Sequence, residues 1–284
     1  MDIILSKNAG FCPGVRRADE AVKNLIEQRN DGDLVFTLGP LIHNGVYVSS
    51  LKEEGVYPIE ISEVENIIAD NPQKNIHLVI RTHGISLEDE AYLNSVSKKH
   101  PQLHIVDMTC PSVKKIHKIA INETNEHTFF ILFGSKTHPE SIATISYAKG
   151  DKAIISSLEE LLELDVKGKM PILCAQTTQN LLQFIQIKNI LKKLYTNSIF
   201  FDTICSVTEN RQYEAIELAK KSDVMIVIGG RDSSNTQKLY SICKEVCPLT
   251  LCIETAAELS TDFPDSAKSA GITAGASTPD GIIM

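Results

Sequence analysis

Three cysteines, Cys12, Cys110 and Cys205, divide the chain at intervals of 98 and 95 residues. Each stands between a β-like segment and a helical pattern, in NAGFCPGVRRADEAV, DMTCPSVKKIHKIA and DTICSVTENRQYEAIELA. The strands before them read IILS, LHIVDM and SIFFDTI. Behind them, apolar residues recur at helical spacing: Val15, Ala18, Val22 and Leu25; Val113, Ile116 and Ile119; Ala215, Leu218 and Ala219. Four features recur in the same order three times. A second strand ends in glycine (LVFTLGPLIHN, FFILFGSKTHPES, VMIVIGGRDSSNT). A third leads into an acidic helix (VYPIEISEVENI, KAIISSLEELLEL, LCIETAAEL). A fourth ends in a polar loop (HLVIRTHGIS, PILCAQTTQN, GITAGAST). A repeat of this length constrains the fold more than any single motif.

Strands alternating with helices predict small parallel α/β sheets. The expected architecture is three such units, 1–108, 109–203 and 204–284, in a pseudo-threefold arrangement, with the N-terminal strand free to pack with the third. Ligands of open α/β sheets sit beyond the carboxyl ends of the strands. That is where the cysteines and the polar loops fall, so the repeat predicts one shared centre.

The net charge of −8 argues against nucleic acid or an anionic membrane as partner. Apolar runs such as FFILF and VMIVI are too short to span a bilayer, and the opening MDIILS reads as a strand, not a targeting segment. Seven cysteines in a frame of this length point to thiols or metal ligands in a reducing, cytoplasmic compartment.

Free cysteine usually packs as a small hydrophobe. That reading suits Cys174 and Cys252, inside strands, and Cys243 and Cys247, on a helical face with Leu239. The C-x3-C-x4-C run of Cys243, Cys247 and Cys252 is the alternative as a metal site, but it is looser than known short-spaced sites and lacks their extra ligands. Cys12, Cys110 and Cys205 differ, because a strand-to-helix switch favours a thiolate. Structural zinc takes four protein ligands. Three thiolates without a fourth suit an iron–sulfur cluster with one open iron, and hence reductive chemistry on a bound oxygen.

The loops supply His43, His83, His138, Thr177, Thr178, Ser233, Ser234, Asn235 and Ser277. The three histidines take corresponding loop positions. With hydroxyl and amide donors and helix N-termini they make a phosphate site needing few cations; Arg81, Lys136 and Arg231 brace the loops. The remaining histidines read as surface or packing. Glu140 is the carboxylate beside a histidine motif. It is either a helix-start glutamate or a proton source for C–O cleavage.

The motifs GFCPGVRRA, GPLIHN, RTHGIS, TCPSVKKIH, GSKTHPE, AQTT, DTICSVTENRQ, GGRDSSNT and TAGASTPD closely resemble the LytB family of 4-hydroxy-3-methylbut-2-enyl diphosphate reductases, over about residues 1 to 280. The resemblance implies a 4Fe–4S cluster on Cys12, Cys110 and Cys205, with the substrate hydroxyl on the fourth iron. It implies two electrons, from an external donor of ferredoxin or flavodoxin type, and two protons, giving isopentenyl and dimethylallyl diphosphate. Glu140 is then the proton donor and Thr177 orients the hydroxyl. His43, His83, His138, Ser233, Ser234, Asn235 and Ser277 hold the diphosphate. Family members often carry a further helix after GASTPD, whereas here Met284 follows Asp280 by four residues. That bears on closure of the third unit, not on the chemistry. A hydrolase of a phosphorylated metabolite leaves the matched cysteines unexplained. An iron–sulfur sensor leaves unexplained a glutamate and hydroxyls facing the cluster.

Overall fold

The structure, a computed structural model, describes residues 1–260 and 263–284. The chain opens with β1 (Asp2–Leu5) and α1 (Pro13–Gln28). A first sheet follows: β2 (Leu34–Leu38), β3 (Val56–Ile59), β4 (Ile76–Ile80) and β5 (Leu103–Asp107), joined through α2 (Gly45–Glu53), α3 (Val64–Asp70) and α4 (Leu87–Lys99). Helix α5 (Pro111–Glu123) hands the chain to a second sheet of β6 (Thr128–Phe133), β7 (Asp151–Ile155), β8 (Met170–Ala175) and β9 (Ile199–Phe200). Its helices are α6 (Pro139–Ser146), α7 (Leu158–Leu162) and α8 (Leu181–Leu194). Helix α9 (Ser206–Ala219) passes to a third, with β10 (Val224–Ile228), α10 (Ser234–Val246), β11 (Thr250–Ile253) and β12 (Ser269–Ala274), before α11 (Asp280–Ile283).

The strand orders are β3-β2-β4-β5, β7-β6-β8-β9 and, read the same way, β11-β10-β12-β1. Every pairing is parallel. The expected class of three parallel α/β sheets is therefore what the chain forms. In each sheet the outer strand at one end precedes a cysteine, and the helix after that cysteine leads into the next sheet. Helices α1, α5 and α9 are thus the three connections of a ring. The ring closes because β1, first in the chain, pairs with β12 in the register Asp2↔Ser269 to Leu5↔Ile272.

Local sequence explains these elements. TFFILF in β6 and VMIVI in β10 are buried at every residue, as central strands covered on both faces must be. In the second sheet, Phe129, Ile131, Phe133 and Leu173 face Phe184, Ile187 and Leu191 of α8. The opposite face puts Phe130, Leu132, Ile172 and Cys174 against Ile116 and Ala120 of α5. The connecting helices are therefore fixed by core packing, and with them the cysteines at their N-termini. Cys243 and Cys247 pack beside Leu239, and Cys252 lies half-buried in β11. No helix among the described residues is long and apolar enough to cross a membrane.

Candidate active site

Cys12, Cys110 and Cys205 are the N-cap residues of α1, α5 and α9. Pro13 and Pro111 follow the first two, where a fixed φ suits the first helical turn and no amide is wasted. Cys12 Sγ accepts from the Val15 amide at 3.4 Å. Ser112 Oγ donates to Cys205 Sγ at 3.7 Å, which ties the second cysteine loop to the third. A Cβ placed on Gly14 would stand 3.0 Å from Cys110 Sγ and 3.8 Å from Cys12 Sγ. The glycine therefore keeps the space between these sulfurs open.

One hydrogen bond recurs with the threefold repeat. The Cys12 amide donates to the Ala276 carbonyl at 3.2 Å, that of Cys110 to Thr82 at 3.0 Å, and that of Cys205 to Thr177 at 3.0 Å. Each bond continues the pairing of the strand before the cysteine with its neighbour: β1 with β12, β5 with β4, β9 with β8. The loops after β12, β4 and β8 carry Ser277, His83, and Thr177 with Thr178. The sheet ladder itself thus sets a polar loop beside every thiol.

Three free thiols fit a cluster better than a lone ion. Tetrahedral zinc holds its sulfurs about 4 Å apart. Among the described residues only His43, His83 and His138 bring three ligand atoms within 4.8 Å of one another. The cysteine sulfurs are spread more widely, yet face one another closely enough that the Cys110 thiol feels Cys12 and Cys205. Burial pushes the Cys110 thiol up, and the Ser112 and Val113 amides pull it back. A bound metal group would remove that proton.

The histidines converge from three loops. Ring centroids lie 4.5 Å apart for His43–His83, 5.4 Å for His43–His138 and 5.2 Å for His83–His138. Their correspondence is narrower than the sequence pattern implies. His43 and His138 follow the equivalent strands β2 and β6, but His83 follows β4, where the other units carry Thr177 and Ser277. Burial lowers the pKa of all three, and the Arg81 charge adds to it; His138 falls to about 3. They are neutral donors in the free protein. His138 is the N-cap of α6, its Nδ1 accepting from the Glu140 amide at 3.2 Å. Its proton is therefore on Nε2.

Glu140, 2% exposed, is held by Thr177. The Thr177 amide donates to Oε1 at 2.6 Å and the Thr177 hydroxyl to Oε2 at 2.8 Å. Burial outweighs these two bonds and lifts the carboxyl to about 7.

Hydroxyls of the second and third units close the ring of donors. Thr178 donates to Ser234 at 3.0 Å; Ser277 Oγ donates to the His43 carbonyl at 3.3 Å and lies 3.1 Å from the Ser233 hydroxyl. Asn235 Oδ1 accepts from the Ala276 amide at 2.9 Å. His43 Nε2, His83 Nδ1 and Asn235 Nδ2 are buried without a protein partner. Three such atoms on converging loops leave donors and acceptors there for a bound group or water to meet. Of the basic residues beside the loops, Lys136 pairs with Glu160 and Arg231 with Glu258, so both brace their loops.

Sequence reasoning missed Gln176. Its Oε1 accepts from the Ser135 amide at 3.0 Å and Ser141 Oγ at 3.1 Å, while Nε2 donates to Thr178 at 3.1 Å. It sets the hydroxyls that AQTT contributes, and its place in that motif was the available signal. Arg211, also missed, is the largest fully buried side chain among the described residues.

The LytB protein family matches residues 3–284. A 4-hydroxy-3-methylbut-2-enyl diphosphate reductase of Clostridioides difficile is 41% identical over 286 residues, spanning 100% of this chain and 96% of the relative. The reductase of the same name from Aquifex aeolicus is 38% identical over 286 residues, spanning 100% and 93%. A solved (E)-4-hydroxy-3-methyl-but-2-enyl diphosphate reductase, described as the terminal enzyme of the non-mevalonate pathway, superposes with a TM-score of 0.67 at 37% identity, over 100% of this chain and 96% of that one. The E-1-hydroxy-2-methyl-but-2-enyl-4-diphosphate reductase of Plasmodium falciparum gives a TM-score of 0.86 at 27% identity, over 99% and 85%.

Proposed function

This chain belongs to the LytB protein family, and from that membership we propose how its three units perform the reaction of a 4-hydroxy-3-methylbut-2-enyl diphosphate reductase. The allylic hydroxyl of (E)-4-hydroxy-3-methylbut-2-enyl diphosphate leaves as water. Two electrons and two protons are taken up, giving isopentenyl and dimethylallyl diphosphate. One observation carries the reading: each of three helix-capping cysteines is hydrogen-bonded through its amide to a loop of the polar centre that holds Glu140.

Cys12, Cys110 and Cys205 are the residues that would hold a 4Fe–4S cluster. When bound, that group supplies low-potential electrons and, at the iron no cysteine ligates, a Lewis acid. The chain supplies the rest. His43, His83, His138, Ser233, Ser234, Asn235 and Ser277 hold the diphosphate with neutral donors, and the orphaned Asn235 Nδ2 finds an acceptor there. Binding the diphosphate in one place fixes the allylic end near the thiols.

Glu140 supplies the proton for the departing oxygen. At a pKa of about 7 it is partly protonated near neutral pH, which suits a general acid. With Glu140 neutral, its own O–H donates to Thr177 Oγ1. The Thr177 hydroxyl then turns to the substrate oxygen, making a short relay. The Thr177 amide keeps Oε1 in place throughout.

The electrons come from an external donor of ferredoxin or flavodoxin type, in a reducing compartment such as the cytoplasm, which suits seven cysteines none of which is in a disulfide. The test is anaerobic purification with iron and sulfide reconstitution, followed by turnover with a reduced viologen dye. Brown protein that consumes the allylic alcohol is the expected result. Colourless protein, or coloured protein that leaves the alcohol untouched, overturns it.

A further inference from the structure

Arg211 is 2% exposed on α9, and no carboxylate among the described residues forms an ion pair with it. Its guanidinium donates instead to two backbone carbonyls, Nη1 to Ala274 at 2.5 Å and Nη2 to Gly10 at 2.9 Å; Nε has no partner. Glu214, one helical turn on, is engaged with the amides of Lys7 and Asn8 at the surface. An unpaired guanidinium buried at this depth is strongly unfavourable, and so calls for a counter-charge.

Its position shows which one. Gly10 lies two residues before Cys12. Ala274 lies two residues before Ala276, whose carbonyl takes the Cys12 amide. Arg211 itself stands on the helix that Cys205 caps. The cation therefore sits at the junction of two cysteine loops. Burial lowers the Arg211 pKa to about 10, which still leaves it charged at neutral pH, and the nearby Cys12, Glu214 and Cys205 act against that fall.

We propose that Arg211 is the built-in counter-ion of the thiolate-held iron–sulfur group, setting how readily that group accepts an electron. This rests on the assignment of the cluster to Cys12, Cys110 and Cys205. A cationic guanidinium keeps its charge under any physiological condition. In a low-dielectric site it favours the added electron of the reduced state, because net charge and burial are the levers on such potentials. Arg211 acts through the cysteines and is a positioning residue, not a catalytic one.

The experiment is an anaerobic redox titration of the reconstituted holoenzyme, followed by visible and EPR spectra, on wild type, Arg211→Gln and Arg211→Lys. Glutamine keeps hydrogen bonding and removes the charge. Lysine keeps the charge and removes the planar fork. The expected result is a tenfold or greater loss in the one-electron reduction equilibrium for Arg211→Gln, a downward midpoint shift of about 59 mV or more, with Arg211→Lys closer to wild type. If Arg211→Gln folds but loses its iron while Arg211→Lys keeps it, the charge is again what matters. An Arg211→Gln midpoint equal to wild type, or an Arg211→Lys protein displaced or iron-depleted as far as the glutamine one, overturns the proposal. So does failure of both variants to fold, which makes Arg211 a structural brace. Colourless wild-type protein in the same series instead overturns the cluster assignment beneath it.

Discussion

Thr177 gives Glu140 two hydrogen bonds, one from its amide and one from its hydroxyl, and the same residue's carbonyl accepts the amide of Cys205. A single loop residue therefore joins the acid to the backbone of a repeat cysteine. These bonds favour the ionised carboxylate, yet burial wins and the carboxyl rises to about 7. The outcome is an acid poised at working pH.

Glu140→Gln preserves shape and cannot supply a proton. A positioned general acid contributes ~10²–10⁴-fold in rate. Turnover is expected to fall at least about a hundredfold on that scale, with iron content and substrate affinity near wild type. The wild-type rate should decline as pH rises through about 7, and the residual rate of the variant should lack that limb. Steady-state pH profiles with saturating reductant decide it; wild-type turnover in the variant returns Glu140 to a helix-start role.

The same carboxyl predicts a stability difference. Its folded-state pKa lies above the usual 4.5, so the folded protein holds the proton more tightly than the unfolded chain. Its contribution is full below 4.5 and is lost as pH rises through about 7, by about 3 kcal/mol at 1.36 kcal/mol per pH unit. Denaturant unfolding of apo-protein between these pH values should show a steeper decline for wild type than for Glu140→Gln.

The histidines predict the opposite slope. Burial holds His138 at about 3 against an ordinary 6.5. Between those values the unfolded chain binds more protons, so stability falls as pH drops from 6.5 toward 3. His138→Asn retains an N-cap acceptor for α6 and removes the titration. Its stability should fall less across that window, read from thermal unfolding at successive pH values; parallel curves would show that His138 is not buried neutral.

Gly230 meets the first unit at the His43 carbonyl. A Cβ there would stand 2.5 Å from that oxygen, so Gly230→Ala must push the loop of the third unit off that of the first. KM for the diphosphate should rise roughly tenfold or more, about 1.4 kcal/mol, while iron content stays unchanged. An unaltered KM would mean that the two loops do not share the ligand.

Serine at Cys12, Cys110 or Cys205 should remove colour and activity together, whereas Cys174→Ser, Cys243→Ser, Cys247→Ser and Cys252→Ser should leave iron near normal. Iron and sulfide assays on the seven variants read this directly. Bleaching by Cys243→Ser or Cys247→Ser to the extent of Cys12→Ser would overturn the threefold assignment.

The sequence alone determined what is local and periodic. Strand and helix follow from residue spacing, as in TFFILF and its helix partners, and the repeat around Cys12, Cys110 and Cys205 is itself a count along the chain. The loop residues His43, His138, Thr177 and Ser277 were legible because each closes a strand of the repeat, and glycine and hydroxyl residues punctuate it visibly. What only the tertiary structure decided is everything that joins residues far apart in sequence. The pairing of β1 with β12 closes the ring across the whole chain, and no periodicity encodes which edge strand will find which partner. The Thr177 grip on Glu140 spans two loops, and its balance of burial against hydrogen bonds sets a pKa that composition cannot give. Arg211 is the clearest case. Its place in the DTICSVTENRQ motif says nothing of burial, and the spacing of apolar residues around it does not mark an arginine for the interior. Only the meeting of α9 with the Gly10 and Ala274 carbonyls shows that it lies inside, because burial is a property of the assembled units and not of the segment that carries the charge.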